Sequence, residues 1–309
     1  MKNYSDIRIC SIFLIITLGF LCLNSCFFEK RKEDLNVNDI EIFEDTPAWE
    51  LAKAVKHQNI NKISNILKED KSLANYKESK FDMTVLMWAV RRGKYKSAKE
   101  LLELGADPNI ESKEMGGSVL FIAIFYYDNT KYIQLLLDYK ANPNTTYCVL
   151  NDGDVIRSPF ECGTSPLMYS VSPLKSGIDK VKLLVKYGAN INYKTKLCAT
   201  AAISALLYED IESAYYLIVE KKANIKDSYY FNTELTGIPN NTPNYPVDLL
   251  LDWVYPLDSK EYQMKMAIVE EFKRQGVDYN SRKKDIPQRR LDQIQKLYPN
   301  NWQEYLEKY

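Results

Sequence analysis

Histidine is almost absent, with His57 the one copy in 309 residues. A Ser-His-Asp device or a histidine-based metal centre would have to be built on that side chain, and nothing around it supplies the spacing. An excess of either charge is missing too, because Lys plus Arg and Asp plus Glu both number 41. Without a domain-wide basic surface, nucleic acid is not an expected partner. Lys30-Arg31-Lys32 and Arg282-Lys283-Lys284 with Arg289-Arg290 are short clusters that read as solvated linker and helix faces, with contact to anionic lipid headgroups or an acidic partner as the alternative. No Gly-rich phosphate loop is present. Asn151-Asp152-Gly153-Asp154 lacks the spaced acceptors and closing Glu of a calcium loop and reads as a turn built on Asp-Gly. The expectation is a non-enzyme that uses no metal and no cofactor.

Long apolar runs are lacking after the first 26 residues, which stand apart from the rest. Lys2 and Arg8 precede the apolar run Ile9 to Leu23. That run is short for a membrane-spanning helix, which needs about 20 residues, and has the pattern of a secretory signal. It ends in Leu23-Asn24-Ser25-Cys26, which resembles the lipobox of bacterial lipoprotein precursors. By that resemblance residues 1–25 are a signal peptide and Cys26 is the lipidated residue, tied to a membrane of the bacterial cell envelope. Residues 26–45 are charged and polar and read as a tether. Cysteine is scarce in the remainder, where Cys148, Cys162 and Cys198 make an odd set. Cys198 precedes a helix start and is expected to be buried.

What is present in quantity is a repeated phrase. Openings occur at Thr46-Pro47-Ala48, Thr84-Val85-Leu86, Ser118-Val119-Leu120, Ser165-Pro166-Leu167, Thr200-Ala201-Ala202 and Tyr245-Pro246-Val247, spaced 38, 34, 47, 35 and 45 residues apart. Such a period means stacked supersecondary units, each burying its apolar face on its neighbours. The Thr or Ser is placed to cap a helix, and a following Pro sits where its missing N–H costs nothing. A second helix follows with an apolar stripe, such as Ile133, Leu135, Leu136 and Leu137. Gly105 and Gly188 then suit a left-handed helix end. Lys140 and Lys222 at the equivalent places should each cost up to about 1 kcal/mol.

These blocks resemble the ankyrin repeat. The resemblance is carried by Leu101-Leu102-Glu103-Leu104-Gly105-Ala106-Asp107-Pro108-Asn109 and Leu184-Val185-Lys186-Tyr187-Gly188-Ala189-Asn190-Ile191-Asn192. It implies an all-α solenoid of about six helix-turn-helix repeats over residues 46–280, with projecting finger loops. Residues 281–309 are expected to add capping helices through Leu291, Ile294, Leu297, Trp302 and Tyr305. The family's histidine in the opening phrase is replaced by Met87, Phe121, Met168 and Ile203, so apolar packing must stand in for its hydrogen bonds.

Two intervals exceed the period, and in the ankyrin arrangement both surpluses fall in the finger. Tyr147, Phe160, Tyr229, Tyr230 and Phe231 lie in them and, with Tyr193 and the adjoining concave helical face, are the candidate partner-binding residues. Local packing of the loops' own aromatics is the alternative. Cys148 and Cys162 bracket the first insertion. In an oxidising compartment a bond between them would close that finger, whereas unpaired thiols are the other possibility. The functional expectation is a monomeric, membrane-anchored protein that binds a protein partner. A structural envelope component and a host-directed effector are the rivals.

Overall fold

The computed structural model describes residues 34–112, 115–148, 162–171, 177–230 and 242–309. Segment 1–25, Cys26, Phe160, Phe231 and the run 151–154 lie outside the described residues. Fourteen α-helices are found among the described residues. Six pairs come first: α1 Trp49–Lys56 and α2 Ile60–Glu69, α3 Val85–Arg91 and α4 Tyr95–Glu103, α5 Val119–Tyr126 and α6 Lys131–Asp138. The next are α7 Pro166–Ser170 and α8 Ile178–Lys186, α9 Ala201–Leu207 and α10 Ile211–Tyr215, α11 Pro246–Leu249 and α12 Lys260–Arg274. The first helices of successive pairs stack on one another from α1 to α11. This is an ankyrin-repeat solenoid, and one apolar core runs through it.

Capping chemistry sets most of the first-helix starts. The hydroxyls of Thr84, Ser165 and Thr200 accept from the N–H groups of Met87, Met168 and Ile203 at 3.2 Å, satisfying donors that no helical carbonyl reaches. Ser118 holds the same place without making that bond. Met87, Phe121, Met168 and Ile203 are buried, filling the stack where the family carries histidine.

The first unit begins three residues later than its sequence suggests. Thr46-Pro47 imitates an opening phrase, but the helix starts at Trp49 with Ala48 before it, and Thr46 Oγ1 donates to Phe43 O at 2.6 Å. Leu51 and Ala54 match Leu86 and Ala89 in burial, and left-handed Gln58 matches left-handed Gly93. Residues 35–45 are also not a tether. Leu35, Ile40, Ile42 and Phe43 are buried, and a 3-10 turn over Ile40–Phe43 covers the open end of the stack. A solenoid's terminal face is apolar and needs such a cover.

Left-handed residues close the second helices. Gly105 and Gly188 have φ of 97° and 85°, and Lys140 and Lys222 adopt 67° and 57° at matching positions. Lys140→Gly is expected to raise stability by about 0.5 to 1 kcal/mol, the relief of a side chain in the left-handed region less the added freedom of glycine when unfolded. Urea titration of the two proteins measures it. Lys222 is the poorer choice, since its ammonium pairs with Glu271 at 3.0 Å.

The closing Asp/Asn-x-Asn phrase turns out to be a ladder. Its first member bends back on its second, as where Asp107 Oδ1 accepts from Asn109 N at 2.8 Å and Asn142 Oδ1 from Asn144 N at 2.9 Å. Its second member then reaches the next repeat: Asn109 Oδ1 accepts from Asn142 N at 2.6 Å while its amide donates to Lys140 O at 3.0 Å. Asn144 does the same to Asn190 N and Gly188 O, and Asn192 accepts from Asn224 N. The Asn109 and Asn144 rungs each use both ends of one amide.

At the far end α13 (Gln288–Leu297) and α14 (Trp302–Lys308) pack through Ile294, Tyr305 and Tyr309. Leu297 is an exception to the expected capping set. It is 55% exposed, because the α13 stripe that meets the stack passes through Ile294.

Candidate interaction surface

The fingers place their aromatics differently from expectation. Tyr147 and Tyr229 are not loop tips but finger bases, bridged in antiparallel fashion to Thr164 and Asn244. Tyr229 is buried, with burial pushing its phenol up to about 12. Tyr147 is half-buried against Phe121, ring centroids 5.6 Å apart. Paired backbone turns alternate side chains toward the stack, so these two rings face inward. Tyr193 and Tyr230 are half-buried, and Tyr230 N donates to Leu197 O in the preceding finger. Cys148 and Cys162 form a disulfide with Cα atoms 4.3 Å apart, and Cys148 N donates to Gly116 O at 2.7 Å. Cys198 is half-buried rather than buried, since it occupies a left-handed turn position with φ of 61°.

Gly117, in the finger that precedes α5, stands against Phe121. A Cβ there would lie 2.7 Å from the Phe121 ring, so only glycine lets that ring meet both Tyr147 and Tyr169 edge-on.

The exposed apolar surface lies instead along the first helices. Stacking puts their last residues in one row: Lys56 and His57, Arg91 and Arg92, Phe125 and Tyr126, and Leu207 and Tyr208. Tyr126, Leu207 and Tyr208 are 39%, 37% and 40% exposed, whereas the other apolar residues of these first helices are buried or half-buried. The row is continuous across its first three repeats. The Arg91 guanidinium lies 4.5 Å over the Tyr126 ring, and Phe125 is 6.3 Å from Tyr169. Sequence reasoning passed over these residues because it looked for surplus length. Their signal was positional: Phe125-Tyr126 and Leu207-Tyr208 end two of the first helices where a solvated end should be polar.

At its amino-terminal end the row carries part of the chain's own backbone. Trp88 Nε1 donates to Asn38 O at 3.2 Å, Arg91 Nε to Asn38 Oδ1 at 3.0 Å, and Lys80 Nζ to Leu35 O at 2.7 Å. Beside this contact lies a cleft of 230 Å³ lined by Asp39, Glu41, Lys56, Arg92 and Lys94 among others. Among the described residues no cluster of His, Cys, Asp or Glu could hold a metal ion, and no helix is long and apolar enough to cross a membrane.

Residues 51–147 match the family model for ankyrin repeats, in three copies. Those residues are ankyrin repeats, and the described pairs beyond them continue the same stack. An ankyrin repeat protein of Fowlpox virus (strain NVSL), FPV024, is 30% identical over 142 residues, which is 41% of this chain. The chain spans about a fifth of that relative's length, 21%. Among solved structures the human ASB11 ankyrin repeat domain is 15% identical, with a TM-score of 0.47, over 73% of this chain and 83% of that one.

Proposed function

We propose that this chain is a non-catalytic ankyrin-repeat protein that binds a protein partner on the first-helix row while held at a bacterial envelope membrane through Cys26. Ankyrin repeats serve in general as protein-binding scaffolds, and the row supplies what such a contact needs. The carrying observation is the exposure of Tyr126, Leu207 and Tyr208 at equivalent ends of stacked helices. Large aromatic side chains provide contact area at little entropic cost. The anchoring half rests on the apolar run Ile9 to Leu23 and the Leu23-Asn24-Ser25-Cys26 phrase. Tyr147 and Tyr229 become finger supports.

A photo-crosslinker placed at position 126 or 208 should join a stoichiometric protein in the native envelope. Tyr126→Ala with Tyr208→Ala should lower capture by about tenfold, equivalent to about 1.4 kcal/mol, without changing the thermal transition. Capture that survives both substitutions, with no crosslink from either position, places binding off this row. Mass spectrometry of the mature amino terminus tests the anchor, which an unmodified Cys26 would refute.

A further inference from the structure

The row is not uniform in charge. Glu209 and Asp252, at its carboxyl-terminal end, are already neutralised by Arg290 at 3.3 and 2.8 Å. At the other end Arg91 and Arg92 have no carboxylate partner among the described residues, and Lys94 has none either. Arg91 is half-buried and donates through Nε to Asn38, a neutral acceptor. Burial, with Arg92 close by, pushes its guanidinium below the ordinary range. The carboxylates nearby are Asp39 and Glu41, and Glu41 is shared with Lys56 at 3.5 Å. Four cations therefore face two anions, and one of the four, Arg91, lies over the ring of Tyr126. A guanidinium without a counter-ion in a partly dry site favours an incoming carboxylate, which it can take in bidentate fashion.

The same place already accepts polypeptide. Trp88 and Lys80 donate to main-chain carbonyls of residues 38 and 35, and Trp88 is covered in doing so. Beyond Asn38 the row continues uncovered into repeat three.

On the reading of the row as a protein-binding face, we infer that its occupant is an acidic segment of the partner protein, with carboxylates at Arg91 and Arg92 and an aromatic or aliphatic side chain on Tyr126. Charge match fixes its direction, acidic end toward the first two repeats and apolar end toward the third.

The test uses the purified full chain and three probes. These are a short fluorescein-labelled peptide with a glutamate block followed by Phe and Leu, the same peptide with lysine for glutamate, and vesicles of phosphatidylglycerol. Fluorescence anisotropy should give about tenfold tighter binding of the glutamate peptide, falling between low and physiological salt. Arg92→Glu should abolish the preference, and Tyr126→Ala should weaken the glutamate peptide several-fold. Arg92 is exposed, so its variant should melt like the parent. Equal binding of the two peptides overturns the inference. So does Arg92-dependent binding of vesicles without binding of the glutamate peptide, which would make the patch a reader of lipid headgroups. If crosslinks from position 126 still capture a protein while the peptides bind alike, the charge inference alone fails. Loss of those crosslinks as well removes the protein-binding face itself.

Discussion

Exchange of both Cys148 and Cys162 for serine is expected to lower the unfolding free energy by about 3 kcal/mol, the loop-closure contribution of a ring of about 15 residues. The two cysteines are separated by 14 positions. The finger base should survive the exchange, because Tyr147 N donates to Thr164 O and Gly163 N to Tyr147 O, both at 2.8 Å, without help from sulfur. Helical circular dichroism should therefore be unchanged at room temperature while the denaturant midpoint falls. Dithiothreitol should bring the parent protein down to the variant's midpoint and leave the variant where it is. Equal midpoints for parent and variant in oxidising buffer would falsify a stabilising role for the bond.

Lys265→Met should act in the opposite direction. Lys265 is fully buried on α12, with Nζ donating to Trp253 O at 2.8 Å and lying 3.4 Å from the centre of the Tyr309 ring and 5.6 Å from that of Tyr279. No carboxylate is paired with it among the described residues, and burial, with Lys283 nearby, holds its ammonium well below the ordinary value of 10.5. The unfolded chain therefore binds the extra proton in the interval below 10.5, so stability should rise with pH there and be lost as pH falls. Tyr279, Tyr305 and Tyr309 oppose this at higher pH. Burial raises all three phenols, so their contribution is complete below the ordinary value of 10 and is lost above it. Stability of the parent should peak just under pH 10. Methionine keeps the length of the side chain and removes the buried charge, an exchange expected to stabilise at pH 7 by about 1 to 4 kcal/mol and to flatten the rise. Thermal unfolding at pH 7 and pH 9 reads both effects. A variant less stable than the parent at pH 7 would mean that the rings and the Trp253 carbonyl outweigh the cost of dehydrating the ammonium.

The stack itself was readable from local chemistry. Thr84, Ser165 and Thr200 cap as their position demands, and Gly105, Gly188, Lys140 and Lys222 share one left-handed backbone state despite their different side chains. The first unit was misread because Thr46-Pro47 satisfies the same local rules as a true opening. Only packing, which brings Leu51 and Ala54 into line with Leu86 and Ala89, decides the register. Residues 35–43 escaped for a related reason. Asn36 and Asp39 form a turn, with Asp39 Oδ2 accepting from Asn36 N at 2.8 Å, so no helical period advertises that Leu35, Ile40 and Phe43 are apolar cover. For the contact surface, an aromatic in a long loop looked like an anchor. Tyr229 is a support because its bridge to Asn244 turns it inward, and pairing across a finger base is not written in composition. The first-helix row was legible once the repeats were aligned, since Tyr126 and Tyr208 fall at the same place in their units.

The asparagine ladder separates the length of a finger from the integrity of the stack. Asp107 to Asn75, Asn142 to Asn109 and Asn224 to Asn192 bridge 32, 33 and 32 residues, yet Asn190 to Asn144 bridges 46 with a bond of the same kind. Thirteen or so additional residues pass between two rungs without either rung changing its partner, consistent with the weak dependence of closure entropy on loop length. The finger sites are thus ports: sequence can be spliced in between Cys148 and Cys162, lengthened or replaced, and the neighbouring repeats still recognise each other by the same amide.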